Sequence, residues 1–436
     1  MLGTSDPARE YARLLLKQHE LDPRGDADSP EIDAICEAMD VSWTRMDGRQ
    51  RGRMRGLSED LYALADGRRG IPMSTEDRAA WAARGMAALQ TGDLDVYLDH
   101  LRQPYPEDFP SGVIPALQAH SWDRLGLPAV ALLFYQEAAK VLPMAKTMTM
   151  DCLRRLGRIK EAMELAQRLL SDPQSRRWDV YLAASALFQQ AFERPPAERA
   201  QILEMILKPL RDAIEAERKT PLSFRQDPGL EGAAARALAL TWVALRRFVE
   251  ARQVCDDAIK SYPNDPALLL IRGVANLPDN PAVAETDFER AVAAQAQESL
   301  PYAALALFRA GQEKYADTFE FAGQALRFPG LPEELQGLLF ELRGIALAEL
   351  KQPHDRVEEE FARARTLNPA STSRIEHNRE VALKSLESAS PSSRLEWNLP
   401  PLEPMLRQLH ARLLRTVAES PIQGESYSEL LVASKS

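Results

Sequence analysis

The side chains best suited to catalysis or metal binding are scattered along this 436-residue chain. Its six histidines and three cysteines do not pair with one another, or with an aspartate, at the spacing of metal ligands. Adjacent carboxylates such as Asp256 and Asp257 fall on exposed-looking faces of predicted helices, whereas general acid–base catalysis needs a carboxyl whose pKa is tuned by burial. The sequence therefore predicts no metal, no cofactor and no enzymatic activity, and Cys36, Cys152 and Cys255 are each predicted to be small buried hydrophobic residues.

A second candidate for chemistry is an arginine-rich stretch between residues 45 and 55, which could bind an anion. Glycines four residues apart within it match neither a dinucleotide-binding loop nor a Walker loop. Acidic residues flank the stretch, and the net charge of −10 with a pI near 5.4 disfavours nucleic acid as the main partner. An anion patch and a solvated face both remain open for this set: Arg45, Arg49, Arg51, Arg53 and Arg55.

The strongest pattern is an internal repeat of small, medium or aromatic, and small residues. In the stretch 248–266, Ala251 is followed by Cys255, Ala258 and Pro263 at +4, +7 and +12. The corresponding positions elsewhere are Ala131, Tyr135, Ala138 and Pro143; Ala284, Phe288 and Ala291; and Val357, Phe361, Ala364 and Pro369.

Steps of four and seven residues place these side chains on one face of a helix. The small residues let a neighbouring helix approach closely, the central residue fills the space between, and the proline cannot continue the helix. An amphipathic leading segment precedes each such helix, with Gly273 and Gly344 at close-contact positions in two of them. Each unit is therefore predicted to be a pair of packed helices.

The pattern resembles the tetratricopeptide repeat, a helix–turn–helix unit of about 34 residues. The resemblance covers residues 77 to 388 and implies an all-α fold, a right-handed superhelical α-solenoid with helical flanks at both ends. The predicted domains are an N-terminal helical region at 1–72, sub-arrays at 77–217 and 232–388, a Pro/Ser-rich linker at 391–404, an amphipathic helix at 405–418 and a disordered tail at 419–436.

The resemblance also implies a function, because such arrays bind peptides or partner helices in a concave groove lined by the leading helices. The sequence therefore favours a non-enzymatic protein-interaction scaffold or adaptor. The alternative is a regulator whose N-terminal arginines bind an acidic ligand or nucleic acid while the array senses a partner. Outward positions predicted to line the groove are His120, Asp123, Arg124, Asp151, Arg154, Arg155, Gln189 and Arg236.

The overall composition is that of a soluble folded protein, with 45% hydrophobic and 27% charged residues. No basic segment followed by an apolar core begins the chain, and no run of about 18 apolar residues occurs in it. The sequence thus predicts a cytoplasmic location without a membrane span, and leaves the partner and the oligomeric state open.

Overall fold

Prolines and short polar side chains set where many of the helices begin. In the computed structural model, the Ser29 hydroxyl accepts a hydrogen bond from the Ile32 amide at the start of helix Pro30–Arg45. Asp47 and Gln50 cap the following helix reciprocally, because each side chain accepts a hydrogen bond from the other's backbone amide. These local signals are readable in the sequence.

The structure describes residues 6–21, 29–67, 69–109, 112–220, 229–294, 299–388 and 397–399. Its helices are α1 Pro7–Leu21, α2 Pro30–Arg45, α3 Gly48–Asp66, α4 Thr75–Gln90, α5 Leu94–Arg102, α6 Val113–Arg124, α7 Pro128–Ala138, α8 Pro143–Arg155, α9 Ile159–Ser171, α10 Arg177–Ala191, α11 Pro196–Lys219, α12 Leu230–Ala244, α13 Phe248–Ser261, α14 Pro266–Asn276, α15 Pro281–Ala294, α16 Ser299–Gly311, α17 Tyr315–Leu326, α18 Glu333–Glu349, α19 His354–Leu367 and α20 Thr372–Glu387. Within the described ranges, the only β-type pairing is an isolated bridge between Ile71 and Pro106. The predicted all-α fold is confirmed.

Up to Asp179, the described helices form one compact unit. In this unit α1 packs on α2 and α3, α3 contacts α5, and α1 contacts α7. The helical hairpins α4/α5, α6/α7 and α8/α9 complete it. The predicted N-terminal region at 1–72 therefore belongs to the same compact unit as the first hairpins.

The second compact unit begins at Val180. In it α11 packs on α12, and the hairpins α12/α13, α14/α15, α16/α17 and α18/α19 follow, with α20 closing the series. Consecutive leading helices, from α12 through α14, α16 and α18 to α20, contact one another, and described residues of consecutive trailing helices make fewer contacts. Closer packing along the leading helices is the arrangement expected for the inner side of a curved repeat array. The sub-array boundary predicted between 217 and 232 does not coincide with this division and stays a prediction.

A paired motif joins the two helices of the hairpins α14/α15 and α18/α19. A methyl group added at Gly273 would lie 2.5 Å from the Phe288 ring, and one at Gly344 would lie 2.9 Å from the Phe361 ring. The arginine before each glycine pairs with the carboxylate before each phenylalanine. The distances are 2.6 Å from Arg272 to Asp287 and 2.9 Å from Arg343 to Glu360. Each hairpin is therefore held by one close ring contact and one adjacent ion pair.

The hairpin α12/α13 lacks this motif at every position. Leu238 and Ala239 stand where the other leading helices carry Arg-Gly, and Val254 and Cys255 stand where the trailing helices carry an acidic residue and phenylalanine. Alanine in place of glycine adds a methyl group and cysteine in place of phenylalanine removes a ring, so the two changes alter side-chain volume in opposite directions. Cys255 is fully buried, and this burial raises the pKa of its thiol.

The predicted packing positions divide by residue type. Each of the eleven small, aromatic or cysteine side chains is buried, and they are Ala131, Tyr135, Ala138, Ala251, Cys255, Ala258, Ala284, Phe288, Ala291, Phe361 and Ala364. Pro143, Pro263 and Pro369 are exposed instead. Pro143 is the first residue of α8, and Pro369 is the first residue of a 3-10 turn before α20. These two prolines therefore contribute by fixing the backbone conformation where an element begins, and not by burying a side chain.

The expectation that all three cysteines are buried is wrong for Cys36. Its side chain is exposed, whereas Cys152 and Cys255 are buried. In α2 the buried stripe runs through Ile32, Ile35 and Met39, and Cys36 lies one residue, or about 100°, away from Ile35 around the helix.

Candidate functional site

Six of the eight predicted groove residues lie together on two leading helices of the first unit. His120, Asp123 and Arg124 are on α6, and Asp151, Arg154 and Arg155 are on α8. We call these six residues the α6/α8 surface.

Arg155 links the two helices of this surface. Its Nη2 donates to Oδ2 of Asp123 at 2.7 Å, and its Nε lies 2.9 Å from Oδ2 of Asp151. Arg154 also donates to Asp151, at 3.2 Å. The hydrogen bond to Asp123 raises the pKa of Arg155 further above its ordinary value. The guanidinium therefore fixes the relative position of the two acidic side chains.

An apolar layer lies directly below these charges. Trp122, Tyr135 and Cys152 are buried, and Arg155 also contacts the sulfur of Cys152 at 3.3 Å. Burial, with a smaller contribution from the charge of Asp123, raises the pKa of the Cys152 thiol to about 12. The raised pKa favours the protonated thiol at neutral pH, and this form is a poor nucleophile.

Two charged side chains of the α6/α8 surface have unpaired atoms among the described residues, one buried and one exposed. Asp123 Oδ1 is buried and has no hydrogen-bond partner among the described residues. Arg124 is exposed and forms no ion pair with a described carboxylate. Burial, and then the nearby charge of Arg124, lower the pKa of His120 despite the opposing effect of Asp123, so this imidazole is neutral at pH 7.

The other two predicted groove residues lie in the second unit. Gln189 is half-buried on α10. Arg236 on α12 lies 2.5 Å from Oδ2 of Asp265, whose Oδ1 caps α14 by accepting a hydrogen bond from the Leu268 amide. The charge of Arg236 therefore links two successive leading helices.

Each of the five N-terminal arginines has a partner inside the chain. Arg49 and Arg53 share Asp95 on α5, with contacts of 2.7 Å from each, and Arg49 also reaches Asp93 at 2.8 Å. Burial opposes ionisation of Asp95, but the hydrogen bonds from Arg53 and Arg49 bring its pKa below the ordinary value. The remaining contacts are Arg45 with Glu10, Arg51 with the carbonyls of Trp43 and Thr44, and Arg55 over the Trp43 ring.

One functional candidate was missed in the sequence. Within the predicted linker at 391–404 the structure describes residues 397–399, and Trp397 there is 7% exposed and packs on the last hairpin. A tryptophan in a Pro/Ser-rich stretch was the available signal. The predicted helix at 405–418 and tail at 419–436 lie outside the described residues.

The described part of the chain places no three His, Cys, Asp or Glu side chains where they could hold a metal ion. None of its helices is both long enough and apolar enough to cross a membrane.

Comparisons with known proteins give structural matches only. No protein-family model matches the sequence, and no curated protein matches it. Similar solved structures include the C-terminal part of a TPR repeat-containing protein from Cytophaga hutchinsonii, which is 11% identical with a TM-score of 0.35, over 70% of this chain and 100% of that one. The Naa15/Naa10 complex bound to HypK-THB matches at 13% identity and a TM-score of 0.34, over 96% and 68% of the respective chains. The P58(IPK) TPR domain matches at 12% identity and a TM-score of 0.21, over 84% and 79%. Two of these three structures are described as TPR proteins.

Proposed function

We propose that this protein is a non-enzymatic interaction scaffold and that its α6/α8 surface docks a peptide or a helix of a protein partner. The observation that carries the proposal is the gathering of six predicted groove residues onto two leading helices, with Arg155 holding Asp123 and Asp151 in place. Side chains that are already fixed lose little conformational freedom when a partner binds, which favours recognition.

The exposed, unpaired cation of the surface defines the chemistry of the partner. The exposed cation of Arg124 fits a carboxylate on the incoming segment. The partner segment therefore carries an acidic residue that pairs with Arg124. Gln189 and Arg236 stay predicted contact residues on the second unit.

The alternative function, anion or nucleic-acid binding by the N-terminal arginines, gains no support from their geometry. Arg49 and Arg53 hold α3 against α5 through Asp95, and a phosphate would have to displace that carboxylate. An exposed basic face, which phosphate binding requires, is therefore reduced at this stretch.

The test is affinity capture from native lysate with the wild-type chain and with Arg124→Glu. The substitution places a negative charge where the partner's carboxylate binds, so recovery of the specific partner is expected to fall at least about tenfold. Quantitative mass spectrometry of the captured proteins measures this recovery.

The matched control is Arg168→Glu, which makes the same charge change at an exposed position on the trailing helix α9. It is expected to leave recovery of the partner unchanged. Equal partner recovery with the wild-type chain and Arg124→Glu contradicts docking at the α6/α8 surface.

A further inference from the structure

Residues 397–399 lie against the last leading helices of the second unit and are held through their backbone. The Asn378 side chain on α20 donates from Nδ2 to the Asn398 carbonyl oxygen at 2.8 Å, and its Oδ1 accepts a hydrogen bond from the Asn398 amide at 2.8 Å. One side-chain amide thereby satisfies both backbone groups of one residue, as a neighbouring β-strand would. This contact recognises the backbone of residue 398 and does not depend on which side chain that residue carries.

A buried ion pair orients the Asn378 amide. Its Nδ2 also donates to Oε1 of Glu341 at 2.7 Å, and Glu341 accepts two further hydrogen bonds from Arg374, at 3.1 and 2.7 Å. Glu341 and Asn378 are both fully buried. The donors and acceptors of the amide are therefore fixed on the backbone of residue 398.

The neighbouring side chain supplies the apolar part of the contact. Trp397 packs in the hydrophobic cluster that contains Ile345 of α18, Phe361 of α19 and Ala382 of α20. The Asn398 side chain, in contrast, is exposed. Recognition of this segment therefore combines one deep tryptophan pocket with backbone hydrogen bonds, which is the chemistry by which proteins bind extended peptides.

We propose that Asn378 and the Trp397 pocket form a binding site for an extended peptide that carries a tryptophan, and that residues 397–399 of the chain itself occupy this site. A partner segment of the same chemistry must displace them before it binds. The proposal rests on the proposed scaffold function, because it names a second docking site and its regulation, but it concerns another unit of the molecule.

The short separation along the chain explains why the internal segment prevails over a free peptide. Only nine residues separate Trp397 from the end of α20 at Glu387. A short connection of this kind gives an effective concentration in about the millimolar range. A free peptide at micromolar concentration cannot compete with it unless the internal tryptophan is removed.

The experiment measures binding of a fluorescein-labelled peptide of residues 391–404, PSSRLEWNLPPLEP, to the full chain by fluorescence anisotropy. Trp397→Ala empties the pocket and is expected to bind the peptide on the order of a hundredfold more tightly than the wild-type chain does. The same peptide with its tryptophan replaced by alanine is expected not to bind. Adding Asn378→Ala to Trp397→Ala is expected to weaken binding of the original peptide.

Asn398→Ala is the matched control, because its exposed side chain takes no part in the contact and the internal segment stays in place. Equal affinity of the peptide for the wild-type chain and for folded Trp397→Ala overturns the proposal and leaves residues 397–399 as a structural cap.

A measurement on the unmodified chain covers the case in which Trp397→Ala does not fold. Hydrogen exchange of the Asn398 amide is expected to accelerate when unlabelled peptide, added well above the roughly millimolar effective concentration of the internal segment, displaces that segment. An unchanged rate at that peptide concentration overturns the proposal. Neither readout involves Arg124 or a cellular partner. Failure here and failure of the α6/α8 surface are therefore separate results.

Discussion

The α6/α8 surface and the Asn378 site, which consists of Asn378, Glu341, Arg374 and the Trp397 pocket, both pair arginine with an acidic side chain. They differ in whether the paired groups face solvent or another part of the chain. At the α6/α8 surface, Arg155 bridges Asp123 and Asp151, whose side chains are 20% and 46% exposed, and the neighbouring Arg124 is exposed without a counter-ion among the described residues. At the Asn378 site, Glu341 lies fully buried between Arg374 and Asn378, and a segment of the same chain covers it. The first arrangement leaves capacity for a partner, whereas the second has committed its capacity internally. The difference lies in burial rather than in composition.

The largest expected effect comes from removing one negative charge at each site. Glu341→Gln is expected to lower the free energy of unfolding by about 3 kcal/mol, because Arg374, whose side chain is only 15% exposed, loses its fully buried counter-ion. Asp151→Asn, the matched change at a side chain that is 46% exposed, is expected to cost less than about 1 kcal/mol. Urea denaturation followed by circular dichroism measures both. Equal losses would show that burial does not separate the two sites.

A second test concerns the close helix packing below the Asn378 site. Gly344→Ala places a methyl group 2.9 Å from the Phe361 ring and is expected to destabilise the chain by about 2 kcal/mol. Gly323→Ala on α17 has no heavy atom within 4 Å and is expected to stabilise it by up to about 1 kcal/mol. The same denaturation experiment measures the sign of each change in the free energy of unfolding. An unchanged free energy in Gly344→Ala would contradict the close ring contact.

A third test compares the hairpin turns of the two units. The turn after α8 carries Gly157 at φ 74°, whereas the turn after α16 carries Glu313 at φ 61°. Gly157→Ala is expected to cost about 1 kcal/mol, and Glu313→Gly to gain about 0.5 kcal/mol, because only glycine adopts this left-handed conformation without strain. Thermal unfolding distinguishes the signs, and a loss of stability in Glu313→Gly would show that no strain is present there.

The smallest expected effect is electrostatic and local to the α6/α8 surface. Burial and Arg124 lower the pKa of His120 below 6.5, so the unfolded chain takes up this proton first on acidification. Stability from His120 is therefore present above pH 6.5 and decreases as the pH falls below it. In Arg124→Gln, the pKa of His120 in an NMR titration is expected to move upward. An unchanged pKa would leave burial as the whole cause.

The hairpins were predictable because their signals are local and recur. Ala251, Cys255 and Ala258 share a helix face by spacing alone, and Gly273 and Gly344 were readable as close-contact positions. The Arg-Gly and acidic-Phe pairs were also present in the sequence, but matching Arg272 with Asp287 requires knowing how the leading and trailing helices align. Helix alignment also explains why an anion patch was considered at Arg49 and Arg53. Their partners Asp93 and Asp95 are distant in the sequence, so the sequence alone does not show that these arginines are paired.

The sequence by itself determined the helices, their pairing into hairpins and the buried faces, since helical periodicity and proline chemistry act within a few residues. It also placed six predicted groove residues on two helices that Arg155 links. Only the tertiary structure decided which charges are available. Arg155, Arg236 and Glu341 look alike in the sequence as polar residues of leading helices, and their roles depend on partners 29 to 37 residues away. The burial of Trp397 was decided in the same way, because the pocket that receives it exists only once three helices have packed together.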